Sequence, residues 1–381
     1  MADLQQDDPD PAVAVGDLDG PAPPSREPSS ELSEPDLPES EPPEPEPAEP
    51  PEQPEPPEPA AESLERAREL LATHPIADGR SGLAGALRDI SSYDIEQGEG
   101  LLETDIPRLR VGGVGAQFWS LHVPPELTGD RAVTATLEQL DLVRTLVAEC
   151  PEGFRLALSA DDMADARNCG RTAALLGPVS GPALGGSLAT LRAYHALGVR
   201  SLTLAGTRWT QRTGLTSAGW EVVREMNRLG VLVDLSGCTP ETMCRTLAVA
   251  KAPVVISHHP EEVPDDVLQR LRANGGVCMV ACTAATLREA ADRLTHVRDT
   301  AGPQSVALTG AYDTGTPHAP GLGDVSCFPR LIAELLDRGW PEADIEALTW
   351  GNVSRVLRAA EFTARSTKPR RSGPVLTPLD T

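Results

Sequence analysis

Residues 217–257 run Ser217-Ala-Gly-Trp-Glu-Val-Val-Arg-Glu-Met-Asn-Arg-Leu229, then Gly230, Val231-Leu-Val-Asp-Leu-Ser236, Gly237-Cys238, Thr239-Pro240-Glu241-Thr242, and later Pro253-Val-Val-Ile-Ser257. The first segment carries apolar residues at helical spacing and stops at a glycine, the usual left-handed terminator. Val231–Ser236 is a short apolar run that does not alternate clearly, as a parallel strand buried on both faces requires. Thr239 followed by Pro240 starts another helix, with an N-cap hydroxyl and a proline in the first turn. Pro253–Ser257 is the next strand. Helix, strand, helix, strand at this spacing is the repeating unit of a parallel α/β sheet.

The same alternation extends in both directions. Further strands are expected at Pro75–Asp78, Val114–Ser120, Ala173–Val179, Ser201–Leu204, Gly276–Ala281 and Ser305–Thr309. Helices are expected at Glu62–Leu71, with Leu64, Ala67 and Leu71 on one stripe, and at Ala132–Val147, Ser187–Leu197 and Pro264–Ala273. Eight strands predict a single (β/α)8 TIM barrel, with a doubly wound open sheet as the competing arrangement. The barrel domain is assigned to residues 62–365.

Composition divides the chain at its start. The 381 residues carry a net charge of −24, yet residues 1–60 hold 18 acidic residues against Arg26 alone. They also hold 18 of the 37 prolines. Such a segment cannot build a core, so residues 1–61 are read as a disordered acidic tail that favours extended polyproline II. Residues 366–381, with Lys368-Pro369-Arg370-Arg371, are read as a flexible basic C-terminal segment. The remainder is mildly acidic, which argues against a nucleic-acid surface. No apolar stretch reaches the 18 residues that a membrane span needs. Seven scattered cysteines do not form a disulfide framework, and the acidic start does not read as a signal peptide. A cytoplasmic protein is therefore expected. Gly112-Gly113-Val114-Gly115 precedes a strand, which excludes a nucleotide-binding loop.

A TIM barrel carries its chemistry at the C-terminal ends of its strands. The residues there are Gly79-Arg80-Ser81-Gly82, Leu121-His122, Val179-Ser180-Gly181-Pro182, Ala205-Gly206-Thr207, Gly237-Cys238, His258-His259, Cys282 and Gly310-Ala311-Tyr312-Asp313. Metal or acid–base chemistry needs clustered histidine and carboxylate side chains. Here the strand ends are mostly glycine, alanine, valine and threonine. His258 and Asp313 are the remaining candidates for catalysis or ligand binding. A thiol nucleophile at Cys238 or Cys282, or a new metal site combining them with His258 and His259, stands as a minor alternative.

Several longer runs resemble the membrane (renal) dipeptidase family, whose fold is a metal-dependent-hydrolase barrel. They are Thr104–Ser120, which includes Val111-Gly-Gly-Val-Gly-Ala-Gln-Phe-Trp-Ser120, and Leu191–Leu204, Glu221–Ser236 and Leu331–Trp340. The resemblance extends from about Ile76 to Phe362 and implies a dipeptidase using two zinc ions. It also implies where the ligands fall: a Gly-His-x-Asp motif on Gly79–Gly82, a bridging glutamate on Val179, and histidines on Gly237 and His258. The substrate histidine falls on Gly206 and the catalytic aspartate on Ala311. The loop after His258 lacks the arginine that the family uses for the substrate carboxylate. Of the metal-ligand positions Arg80, Gly82, Val179, Gly237 and His258, only His258 keeps its residue type. No zinc is therefore expected.

This pattern reads as a catalytically degenerate member, a pseudoenzyme binding a small peptide-like or amino-acid ligand or a protein partner. Arg80 offers a carboxylate a fork-shaped partner. The resemblance also implies a homodimer or pairing with an active relative. Two alternatives remain: an active dipeptidase with a rebuilt or mismatched metal site, and an interaction protein working through its acidic tail. The degenerate reading expects Arg80, Val179, Gly237, His258 and Ala311 to meet at one barrel mouth.

Overall fold

The computed structural model describes residues 59–90, 93–98, 100–211, 214–257 and 263–367. The acidic tail up to residue 58 and the basic segment from Lys368 onward lie outside the described residues. The chain enters through α1 (Ala61–Thr73) and β1 (Ile76–Ser81), then α2 (Leu83–Arg88), α3 (Ile106–Val111) and β2 (Val114–Leu121). After α4 (Gly129–Glu149) come β3 (Phe154–Leu156), α5 (Ala160–Asn168), β4 (Thr172–Val179), α6 (Leu188–Ala196) and β5 (Ser201–Thr203). A two-stranded hairpin, β6 (Thr210–Gln211) and β7 (Gly214–Leu215), precedes α7 (Ser217–Leu229), β8 (Leu232–Asp234), α8 (Pro240–Val249) and β9 (Val255–Ile256). The last units are α9 (Asp265–Asn274), β10 (Val277–Ala281), α10 (Leu287–Ala301), β11 (Val306–Thr309), α11 (Phe328–Asp337), α12 (Glu342–Glu346) and α13 (Asn352–Ser366).

The strands follow the order β1-β2-β4-β5-β8-β9-β10-β11, and the pairs are parallel. Each expected strand is present, so the barrel reading holds and the open sheet is excluded. Closure comes from a parallel bridge between Ser81 and Tyr312, where Gly82 N donates to Tyr312 O at 2.7 Å and Ala311 N to Arg80 O at 3.1 Å. The short β3 was not expected; it pairs with Thr172–Ala174, beside β5 on the same edge of β4.

Alternate strand residues divide into two clusters, as a closed sheet requires. Ala77, Ala116, Phe118, Leu175, Val255, Met279 and Ala307 form one, together with residues of α5 and α13. Ile76, Leu176, Leu202, Val233, Ile256, Val280 and Leu308 join the other, larger cluster with most of the helices. Alanines opposite Phe118 and Met279 leave room for the two large side chains. Helix α13 covers the N-terminal ends of the last strands: Asn352 Nδ2 donates to Pro303 O and Val306 O, both at 2.8 Å, and Arg355 Nη1 to Gly275 O at 2.6 Å. One barrel end is thus sealed and the C-terminal end is left for a site. No helix among the described residues is long and apolar enough to cross a membrane.

Local signals act as the sequence implies. Thr216 Oγ1 accepts from Gly219 N to cap α7, and Gly230 ends that helix at φ +79°. Thr239 Oγ1 accepts from Thr242 N to cap α8, with Pro240 in its first turn.

Candidate ligand site at the barrel mouth

A cavity of about 560 Å³ opens at the C-terminal ends of the strands. Arg80 and Gly82 line it from β1, Ser120 and His122 from β2, Ser257 from β9, Ala281 and Thr283 from β10, and Ala311, Asp313 and Thr314 from the turn after β11. The expected convergence is partly met. Arg80, Gly82, Ala311 and Asp313 share the cavity, whereas Val179 is fully buried and, like Gly237, is not part of the lining. His258 and His259 lie outside the described residues, so the structure places only their neighbour Ser257 at the mouth.

Two buried carboxylates hold the strand ends in place. Asp78 is fully buried in β1 and accepts from Gln117 Nε2 at 2.9 Å, Gly310 N at 2.8 Å and Arg80 N at 3.2 Å. Gln117 Oε1 in turn accepts from Trp119 Nε1 at 2.8 Å. This network ties β1, β2 and β11 at the seam where the barrel closes. Burial raises the Asp78 pKa, and its hydrogen bonds oppose that rise. Across the barrel, Asp234 accepts from Ser236 N at 2.8 Å, Ser257 Oγ at 2.9 Å and Thr203 Oγ1 at 3.3 Å, joining β5, β8 and β9. Neither carboxylate was a candidate from the sequence, although an acidic residue inside an apolar run signals such a role.

The first strand end carries a guanidinium and a crowded glycine. Arg80 is partly buried at the cavity wall, and its Nε is buried without a hydrogen-bond partner among the described residues. Gly82 lies under the turn after β11. A Cβ on Gly82 would stand 2.1 Å from Asp313 O and 2.6 Å from its carbonyl carbon. Backbone therefore fills the space that any side chain at position 82 needs. The turn is unusual in holding two non-glycine residues in the left-handed region, Ala311 at φ 54° and Asp313 at φ 59°.

Asp313 is an anchor as well as a lining residue. Glu103 N donates to Asp313 Oδ1 at 2.7 Å and Asp313 N donates to Glu103 Oε2 at 2.6 Å, a reciprocal clamp on the segment before α3. Asp313 Oδ2 is buried with no partner among the described residues. Burial, with the Glu103 charge adding to it, pushes the Asp313 pKa up to about 6. His318 stacks on Tyr312, its ring centroid 4.6 Å away, and reaches Gly310 O through Nε2 at 2.9 Å.

Burial works against a thiol nucleophile. Cys238 and Cys282 are buried; burial pushes the Cys238 pKa up to about 12 and that of Cys282 higher. A thiol nucleophile needs a lowered pKa. His122 and Ser120 were missed by the sequence reading, although both stand at the end of an expected strand. His122 Nδ1 meets Ser180 Oγ at 2.9 Å, and its pKa is lowered by burial and by the nearby Arg80 charge, so the imidazole is neutral at pH 7.

The zinc pair implied by the resemblance can be tested against this donor set. Two zinc ions need several imidazole and carboxylate groups converging at about 2 Å. Positions 80, 82, 179 and 237 offer a guanidinium, two glycines and a valine, and position 82 has no room for a side chain. Among the described residues no three His, Cys, Asp or Glu side chains gather to hold a metal ion. These residues do not fit a dinuclear zinc centre.

Over residues 64–371 the sequence matches the family described as membrane dipeptidase (peptidase family M19). Dipeptidase 3 of Mus musculus is 37% identical over 336 residues, covering 78% of this chain and 66% of the relative. Dipeptidase 3 of Homo sapiens is 36% identical over 336 residues, covering 78% and 67%. The chain thus spans about two thirds of the length of these relatives. Among solved structures, the probable dipeptidase PvdM from Pseudomonas aeruginosa aligns with a TM-score of 0.73 at 18% identity, covering 80% of this chain and 99% of that one. A metallopeptidase from Rhodobacter sphaeroides, liganded with a phosphinate mimic of the dipeptide L-Ala-D-Ala, aligns with a TM-score of 0.68 at 21% identity, covering 75% and 99%. At these identities the two structures establish the barrel fold.

Proposed function

Since the chain belongs to the membrane dipeptidase family, we propose that it is a non-hydrolytic member that binds a small peptide-like or amino-acid ligand at the barrel mouth. One observation carries the reading: at the first strand end, the Asp313 backbone occupies the space of a ligand side chain at Gly82, beside the permanent cation of Arg80. An altered metal preference does not follow from this arrangement, because a guanidinium repels any cation. The cavity persists at about 560 Å³, within the range of small-molecule sites. Its walls combine hydroxyls, an imidazole, two guanidiniums and two carboxylates with alanine and proline, a mixture suited to orienting a short polar molecule.

The test is metal analysis of purified full-length protein, with dipeptide turnover followed with and without added zinc and chelator. The expected result is no stoichiometric metal and no chelator-sensitive turnover. Stoichiometric zinc, with turnover abolished by chelator and by His258→Ala, overturns the proposal. It would favour the second reading, a hydrolase with a rebuilt site, for which the relatives named dipeptidases speak.

A further inference from the structure

We propose that the barrel mouth is an oxyanion receptor, in which Arg80 and Ser120, lining one cavity at the ends of β1 and β2, hold a carboxylate or phosphate group of a small ligand. The inference rests on the ligand-binding reading above and names the charge of what is bound.

The argument is a balance of donors and acceptors. A metal site needs surplus acceptors; an anion site needs surplus donors. Around this mouth most carboxylate acceptors among the described residues are already used, Asp313 Oδ2 being the exception. Asp78 receives Gln117 Nε2, Gly310 N and Arg80 N, and Asp234 receives donors from Ser236, Ser257 and Thr203. Asp313 Oδ1 receives Glu103 N, and Asp89 at the rim lies 3.5 Å from Arg88 Nε. Donors are what remains. Arg80 Nε is buried without a partner among the described residues, and no carboxylate there lies within ion-pair distance of the Arg80 guanidinium. Ser120 Oγ is likewise buried and unpartnered among the described residues, in a side chain only 4% exposed.

These two groups open on the same cavity. Ser81 pairs with Trp119 across β1 and β2, so Arg80 and Ser120 flank that pair, and both line the cavity. A buried, unpaired N–H such as Arg80 Nε is costly in a fold, and an acceptor-rich ligand removes that cost. Water can serve a serine hydroxyl, but it does not neutralise a cation. At the rim Arg88 and Asp89 pair with each other, so Arg80 carries the cationic character of the inner wall.

The test is calorimetric titration of the full-length protein with four probes: acetate, inorganic phosphate, N-acetyl-dialanine, and the C-terminal amide of N-acetyl-dialanine. N-acetyl-dialanine is expected to bind and its amide not to; phosphate binding in place of acetate assigns the oxyanion to phosphate. Arg80→Met is expected to weaken binding by about tenfold to a hundredfold, and Ser120→Ala by about fivefold. The unliganded unfolding midpoint of Arg80→Met should equal or exceed that of the native chain, which separates a binding role from a folding role. Equal affinity for the acid and its amide overturns the oxyanion assignment while leaving a small-ligand pocket intact. Unchanged affinity in both variants, or no binding of any anionic probe up to about 10 mM, also overturns it. Zinc-dependent turnover, by contrast, refutes the non-hydrolytic reading and is read in a separate assay.

Discussion

Asp313→Asn is expected to stabilise the protein at neutral pH. The native carboxyl is pushed from 3.8 up to about 6, chiefly by burial. A rise of about two units corresponds to about 3 kcal/mol between the protonation states. The sign follows from linkage. Because the folded pKa lies above the unfolded one, no penalty exists below about pH 4, where both states are protonated. The penalty grows as pH rises from 3.8 to about 6 and is complete above that. Asparagine keeps the acceptor that receives Glu103 N, carries no charge, and tolerates the left-handed backbone at φ 59°. Urea unfolding at 25 °C, at pH 4.5, 6 and 8, reads the difference directly. Asp313→Asn should be more stable by about 1 kcal/mol at pH 4.5 and by about 2–3 kcal/mol at pH 8, with the difference vanishing toward pH 3. An advantage that does not change with pH, or a variant less stable at pH 8, refutes the assignment of a buried, strained carboxylate. Asp313 thus anchors the loop while it also lines the cavity.

The remaining expectations concern packing and reactivity. Gly82→Ala should cost about 3 kcal/mol, because its Cβ would lie 2.1 Å from backbone. Gly85→Ala, in α2 with nothing within 4 Å of its Cβ, should gain about 0.5–1 kcal/mol; equal effects of the two in urea titrations contradict the closed turn. Iodoacetamide labelling of native protein at pH 8 should modify exposed Cys169 and spare Cys278 and Cys282 until urea is added. Rapid native labelling at Cys282 is inconsistent with its burial.

How much of this was legible differs between backbone and site. Val114–Ser120, expected as a strand, forms Val114–Leu121, since apolar β-branched and aromatic runs leave few alternatives. Phe154–Leu156 was missed because three residues carry too little pattern, even with the Pro151-Glu152-Gly153 turn before them. The β6–β7 hairpin is shorter still. Closure through Tyr312 was hidden for another reason: its turn uses Ala311 and Asp313 at positive φ, where sequence leads one to look for glycine. At the mouth, Arg80 and Ala311 were found by comparing strand ends with a motif. Ser120, His122, Asp78 and Asp234 were not, because their roles depend on cross-strand neighbours that only the register supplies. Val179 was correctly seen at a strand end, but its side chain packs into the wall between sheet and helices and misses the cavity.

The packing of Gly82 beneath the Asp313 carbonyl also bears on how this chain can change over generations. A carboxylate at position 82 is not reachable by exchanging that residue alone, since the neighbouring turn must first move away. That turn is fixed from three sides by the Ser81–Tyr312 bridge, the Glu103 clamp and the Asp78 hydrogen bonds. Each step toward a side-chain ligand at position 82 therefore lowers stability before it adds that ligand. Descendants of this sequence have an easier path in varying the groups around Arg80, which leaves the turn in place.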